Sequence, residues 1–502
     1  TKQDVVDWAN KYLGPESYAI IYKREGKDPD EQKIAAPKIT PIVTNRDSQS
    51  EFLSEIQTSQ VQPIEPVFVD YKKDMSQFEA QPGIDVLYKK NETNDIFTLI
   101  YVFNTGTEND PALNLAFNYL SYLGTDKMTA EEIASEMYDI ACSFYMNAGA
   151  NQSSIQITGL SENMGKAMEI VEGLIAGAKP DEAILENLKG DMLKSRADAK
   201  LNQSRCFGAL QRYLFYGGDF IRRTTLTDPA LQALTSEQLL AKIGGLMGKQ
   251  HEVLYYGPQK EAEVKSALAK HHKVAADLQP LEKKFSTLLP TDANKVVLAQ
   301  YDAKQLYYLQ FSNRGEKFDV AADPEITLYN EYFGGGMNTI VFQEMREARG
   351  LAYTAWATLA TPSNANGDYS YYAFIATQND KMQKAVEAFD DIINNMPESE
   401  KAFGIAKEAL VSRLRTERTV KDGVLWSYLR ARDLGLDAPR DKQIFEKVQS
   451  MTLDDVKAAQ QKWVKGRKYV YGILGDIQNL DLNYLKTLGP IQTVSQEEIF
   501  GY

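Results

Sequence analysis

Residues 329–353 read YNEYFGGGMNTIVFQEMREARGLAY. The stretch predicts the end of one helix, a glycine turn, and a second helix closing in Gly-Leu-Ala-Tyr before strands begin. Gly334, Gly335 and Gly336 in a row give the backbone a freedom that residues with a Cβ lack, so the chain turns sharply or admits another backbone at close range. In the following helix, predicted over 339–349, Ile340, Phe342, Met345 and Ala348 supply apolar contacts, while Arg346 and Arg349 need a polar exit or an anionic partner. Seven residues, about two helical turns, separate Arg346 from Tyr353, so a guanidinium and a phenol converge if the helix continues that far. The plainer alternatives are a solvated or ion-paired arginine and a half-buried tyrosine at a strand start. A phosphate cradle is disfavoured, because no Gly-Lys-Ser/Thr follows and no strand leads into a G-x-G-x-x-G.

At 502 residues the chain is too long for one ordinary core, and length suggests about three domains. Its 43% hydrophobic and 25% charged residues are ordinary for a globular protein. A net charge of −13 and a pI near 5.0 argue against a nucleic-acid surface. Cys142 and Cys206 are too few for a disulfide framework and lack C-x-x-C spacing, so they do not decide the compartment. No apolar run is long enough to span a bilayer, and no signal peptide opens the chain. The compartment is open between periplasm and cytoplasm.

A unit recurs three times. TKQDVVDWANKY from Thr1 runs into YAIIYK at Tyr18; TSEQLLAKIGGLM from Thr235 runs into HEVLYYG; TLDDVKAAQQKWV from Thr452 runs into YVYGILGD. Each opens on a threonine with Asp or Gln three residues on, a full or partial capping box, and passes from helix to strand. The first copy has no body before it, which predicts a chain starting inside a larger protein. Residues 1–27 are then the tail of a preceding domain, and 28–75, polar and poorly periodic, a linker with a possible amphipathic helix at 48–57. Two bodies follow, 76–284 and 285–502, in each of which a strand, two helices about a glycine turn, further strands and a long helix recur. Glu136-Met137-Tyr138 aligns with Glu344-Met345-Arg346, and Tyr145 with Tyr353, at an offset of 208 residues. Such a period means duplicated domains. The fold class is α+β, with helices packed on one face of each sheet.

Bottom-up, no self-sufficient catalytic site emerges. The histidines are His251, His271 and His272. The adjacent pair does not make an i, i+4 metal pair, and AKHHK reads as a solvated helix end. His251 has no evident carboxylate companion. No G-x-S-x-G occurs, and neither cysteine has catalytic flanks.

FGGGMNTIVFQEMREARGLAY strongly resembles the pitrilysin/insulinase family of zinc metallopeptidases, and the likeness extends over both bodies and the unit at Thr235. The resemblance implies a clamshell of two halves, each of two homologous α+β domains. In the active half a helix carries an inverted H-x-x-E-H followed by Gly-Thr. The matching helix here is Leu115-Ala116-Phe117-Asn118-Tyr119, ending at Gly124-Thr125. Leu115 and Tyr119 replace the two histidines and Asn118 the glutamate base, while Lys194, Ser195 and Arg196 stand near the expected downstream glutamate. A side chain without a lone pair cannot ligate zinc, and an amide cannot activate water. The first body is therefore read as a degenerate copy that binds no metal.

The same resemblance implies that the chain is the C-terminal half of a zinc endopeptidase, with zinc in an N-terminal half that is its partner. Arg346 and Tyr353 would bind the peptide substrate near the scissile bond, Arg346 at a carbonyl and Tyr353 at the substrate or oxyanion, and Gly334 to Gly336 would permit close approach. The alternative is a non-catalytic structural or peptide-binding member of the same fold.

Overall fold

The computed structural model describes residues 1–14, 16, 18–24, 26 and 50–502, which divide into two units, Thr1–Gln62 and Pro63–Tyr502. In the first, helix Lys2–Tyr12 opens with the expected Thr1/Asp4 capping box. Residues 18–24 form no strand, contrary to expectation. Apolar alternation alone does not make a strand, which also needs a partner ladder for its N–H and C=O groups. Helix Glu51–Thr58, capped by Ser50, realises the helical alternative within the linker. Residues 28–49 of that linker lie outside the described residues.

The second unit holds two six-stranded mixed sheets. Strands β1 (Ser76–Gln81), β2 (Ile84–Lys90), β3 (Ile96–Phe103), β4 (Cys142–Ala148), β5 (Ser153–Leu160) and β6 (His251–Gly257) run in the order β1-β2-β6-β3-β5-β4. Strands β7 (Lys295–Gln300), β8 (Gln305–Ser312), β9 (Thr354–Ala360), β10 (Ser370–Gln378), β11 (Val470–Gly475) and β12 (Ile491–Val494) run in the order β12-β7-β11-β8-β10-β9. Five strands correspond one to one, from β2 and β7 to the edge strands β4 and β9, including the parallel pairs β2/β6 and β7/β11. The helix-to-strand units behave as expected, with capping boxes at Thr235/Gln238 and Thr452/Asp455 ahead of β6 and β11.

Each sheet buries one face under its own helices. In the first, Leu99, Tyr101 and Phe103 pack with Leu115, Phe117 and Val171; in the second, Leu306 and Tyr308 pack with Tyr329, Phe333 and Met345. The expectation of helices on one face only is incomplete, because the opposite faces are covered by exchange. Helix Gly423–Asp433, which follows the second body's helices in sequence, lays Val424, Leu425 and Leu429 on Leu87, Ile100 and Val102 of the first sheet. The helical segment Gln203–Thr224, kinked at Gly217 (φ +83), lays Leu210 and Leu214 on Val297, Leu309 and Phe311 of the second. Burial on both faces explains why IFTLIYVF reads as an unbroken apolar run. Polar contacts fix the exchange: both terminal nitrogens of Arg432 reach the Glu252 carboxylate, Lys283 meets Asp433 at 2.6 Å, and Tyr71 and Ser427 share a hydrogen bond of 2.8 Å.

Sheet register corrects the alignment of the copies. Tyr145 pairs with Gln156, which faces Ile100; Trp356 pairs with Phe374, which faces Leu309. Tyr145 therefore corresponds to Trp356 and not to Tyr353. The offset of 208 is not constant: the helix N-caps Thr129 and Thr339 stand 210 residues apart, and the strand positions Tyr145 and Trp356 stand 211 apart.

Candidate functional site

The helix Asp323–Phe333 ends at Gly334, and Thr339 Oγ1 closes the turn by donating to Gly336 O at 2.7 Å. The chain then makes a short α-helical turn, Ile340–Phe342, and widens into π-helical turns over Gln343–Ala348. The expected continuous α-helix over 339–349 is thus replaced. Met345 is buried together with Ile340 and Val341. Gly350 at φ +58 reverses the chain, Leu351 N–H donates back to Met345 O at 2.9 Å, and Tyr353 N–H donates to Ala376 O at 3.1 Å.

Arg346 and Tyr353 meet through this reversal, not along a helix. The guanidinium carbon lies 4.9 Å from the Tyr353 ring centroid and 5.0 Å from that of Phe342. The guanidinium thus lies over both rings, and its nearest carboxylate oxygen among the described residues, on Glu347, is 3.7 Å from Nε. Tyr353 is 69% exposed. Arg349, one turn on, differs: it is tied to Glu344 at 3.4 Å and Asp391 at 3.2 Å.

The three glycines separate in role. A Cβ on Gly334 would sit 1.8 Å from Ala357 O, so this close approach is taken by the protein's own strand β9. Gly335 and Gly336 are exposed, and a Cβ there meets at most Asn330 O, at 3.9 Å from Gly335. Strand β9 lies at the sheet edge, yet its outer groups are already bonded: Ala357 N–H donates to Gly334 O at 3.0 Å, Leu359 N–H to Asn330 Oδ1 at 2.9 Å, and Asn330 Nδ2 to Leu359 O at 3.0 Å. A peptide cannot add as a strand along 357–359. Recognition beside Arg346 is left to side chains.

The vestigial metal helix belongs to the first core. Leu115 and Tyr119 are 2% and 0% exposed, and Asn118 faces outward. The Tyr119 hydroxyl accepts from Asp181 N–H and donates to Ser236 Oγ, both at 2.7 Å, so it ties together the starts of helices Glu182–Lys200 and Ser236–Leu246. Arg196, near the expected glutamate, binds the Asp228 carboxylate and donates to Leu226 O at 2.6 Å. These residues do not fit zinc. Among the described residues, no group of three or more His, Cys, Asp or Glu side chains is placed to hold a metal ion.

The histidines overturn their sequence reading. His271 and His272 are buried, not solvated, and His251 is joined to a carboxylate through His272. His251 Nδ1 lies 2.8 Å from Lys249 O, which only accepts, so His251 carries its hydrogen there and accepts at Nε2. His272 Nε2 donates across 2.8 Å to that nitrogen, and its Nδ1 lies 2.6 Å from Glu172 Oε1. Burial, then the neighbouring His272, pushes His251 down to about 4. No local pattern announces this cluster, because its members come from a strand start, a helix end and a third helix.

The pattern of the "Peptidase M16 inactive domain" matches residues 250–410. An uncharacterised zinc protease of Streptomyces coelicolor is 22% identical over 266 residues, 49% of this chain and 56% of the relative. The match thus spans little more than half of that relative's length. A crystal structure of a peptidase M16 inactive domain from Pseudomonas fluorescens superposes with a TM-score of 0.63 at 18% identity, covering 80% of this chain and 98% of that one. The ferredoxin protease FusC, crystallised in complex with Arabidopsis ferredoxin, gives 0.64 at 13% identity, covering 95% of this chain and 50% of its own. At these identities the structural likeness is one of fold.

Proposed function

We propose that this chain, which belongs to the pitrilysin/insulinase-like family of metallopeptidases, supplies the substrate-clamping half of a zinc endopeptidase whose metal lies in an N-terminal half. The observation that carries the reading is the stacked contact between Arg346 and Tyr353, 4.9 Å from guanidinium carbon to ring centroid. Placed over the Phe342 and Tyr353 rings, Arg346 offers N–H donors for a peptide carbonyl. Tyr353 places an exposed phenol beside it, a donor for the oxyanion that develops as the carbonyl is attacked. Gly335 and Gly336 leave room for the substrate backbone. When bound by the other half, zinc supplies the activated water; on this chain the residues orient the peptide and stabilise charge.

The experiment is cleavage of unstructured peptides, with zinc, by this chain alone and joined to a half carrying H-x-x-E-H. Cleavage is expected only from the pair, and robust cleavage by this chain alone would overturn the division of labour. The second reading, a non-catalytic member of the fold, is favoured by the burial of Leu115 and Tyr119 where ligands would stand. An upstream half that also lacks H-x-x-E-H would decide for it.

A further inference from the structure

We infer that the cleft beside the vestigial metal helix is a binding site for the free carboxylate end of a peptide bearing an apolar terminal side chain. The inference rests on the peptidase reading for its ligand class, but on different residues. A cavity of about 390 Å³ opens between helices Leu113–Ser121, Glu182–Lys200 and Gln203–Thr224, with Tyr502 at its wall. Arg196, Arg205 and Arg212 all line it.

Among the described residues Arg196 is paired with Asp228, and the Glu108 carboxylate acts on Arg212 without forming an ion pair with it. Arg205 is exposed, and its one side-chain hydrogen bond among the described residues is a long one, 3.5 Å, to Ser195 O. Arg212 is half-buried, donates to Thr224 Oγ1 at 2.6 Å, stacks 5.1 Å from the Phe220 centroid, and makes no ion pair among the described residues. Burial holds its guanidinium below the ordinary arginine range. Thr225 Oγ1, in the same wall, is buried without a hydrogen-bond partner. A cationic recess with unspent donors, in a chain of net charge −13, calls for an anion.

The apolar part of the lining says which anion. Met192, Leu226 and Phe500 offer surface that a bare phosphate would not use, and Gly208 leaves the wall low, since a Cβ there meets nothing within 4 Å. A carboxylate next to an apolar side chain uses both parts. The site also inverts what the resemblance expects: near the downstream metal-ligand position stands Arg196, and at the first histidine position Leu115, so a place for a cation has become a place for an anion.

The test is fluorescence anisotropy on the full chain with a short labelled peptide ending in leucine, as free acid and as amide, and with inorganic phosphate as competitor. The free acid should bind at least about tenfold tighter than the amide. Arg205→Gln and Arg212→Gln should each remove most of that difference, roughly a tenfold loss. Gly208→Leu should block both peptides by filling the cleft, with circular dichroism confirming the fold of each variant. Equal binding of acid and amide, no binding of either, or full displacement by equimolar phosphate would each overturn the proposal. The cleavage experiment can fail or succeed independently of all of these.

Discussion

The two sheets part company at one junction. In the first copy two residues, 140–141, separate helix Ala130–Asp139 from β4; in the second, five residues, 349–353, separate the π-turns from β9. Those three additional residues create the reversal at Gly350 that lays Tyr353 against Arg346. The first copy turns into its strand through Ala141 at φ +50, and its Tyr145, 65% exposed, has no arginine over its ring among the described residues. The first copy instead invests its chemistry-bearing positions in the core, where Tyr119 and Leu115 pack. One fold thus carries an exposed Arg346–Tyr353 contact in one copy and, in the other, a helix whose Leu115 and Tyr119 are buried in the core.

The largest effect that would test this contrast is on turnover. In the assembly with the zinc-bearing half, Arg346→Ala should lower kcat/KM by about 100-fold or more and Tyr353→Phe by roughly ten- to 100-fold, with zinc content by atomic absorption unchanged. Loss of zinc in either variant would break the contrast. Next is Gly334→Ala, which forces a Cβ against Ala357 O and should cost about 2–4 kcal/mol in urea unfolding, whereas Gly336→Ala should stay within about 0.5 kcal/mol.

The histidines lie in the first copy, so acid should load it unequally. His251, depressed from 6.5 to about 4 in the folded state, is neutral there while the unfolded chain takes up a proton. Stability contributed by this group is present above about pH 6.5 and is lost as pH falls toward 4, an order of 3 kcal/mol across the window. Urea midpoints at stepped pH should fall accordingly, and His251→Gln should flatten that dependence. The smallest effect is Tyr119→Phe, expected to cost about 1–2 kcal/mol through its lost hydrogen bonds, with no change in catalysis by the pair.

Much of this was legible from the chain. Capping boxes at Thr235 and Thr452, the glycine turn and the duplicated order of helices and strands are local signals, and they place both sheets. The pairing of Arg346 with Tyr353 was legible as a spacing but not as a geometry, because the π-turns over 343–348 and the reversal at Gly350 carry no local sequence pattern that announces them. The constant offset misled at Tyr145 for the same reason: only backbone pairing shows where the additional residues enter. The histidine cluster and the exchanged helices depend on long-range packing, which no window of sequence contains.

That exchange bears on how the molecule is made. A nascent chain that has emitted β1 to β6 still lacks the cover for one side of that sheet, because Val424, Leu425 and Leu429 arrive some 170 residues after β6 closes. Ile100 and Val102 stay open to water, or to a chaperone, until then. Cutting the gene between the two sheets would therefore yield two sticky fragments, each missing its neighbour's helix, and only co-expression would restore them.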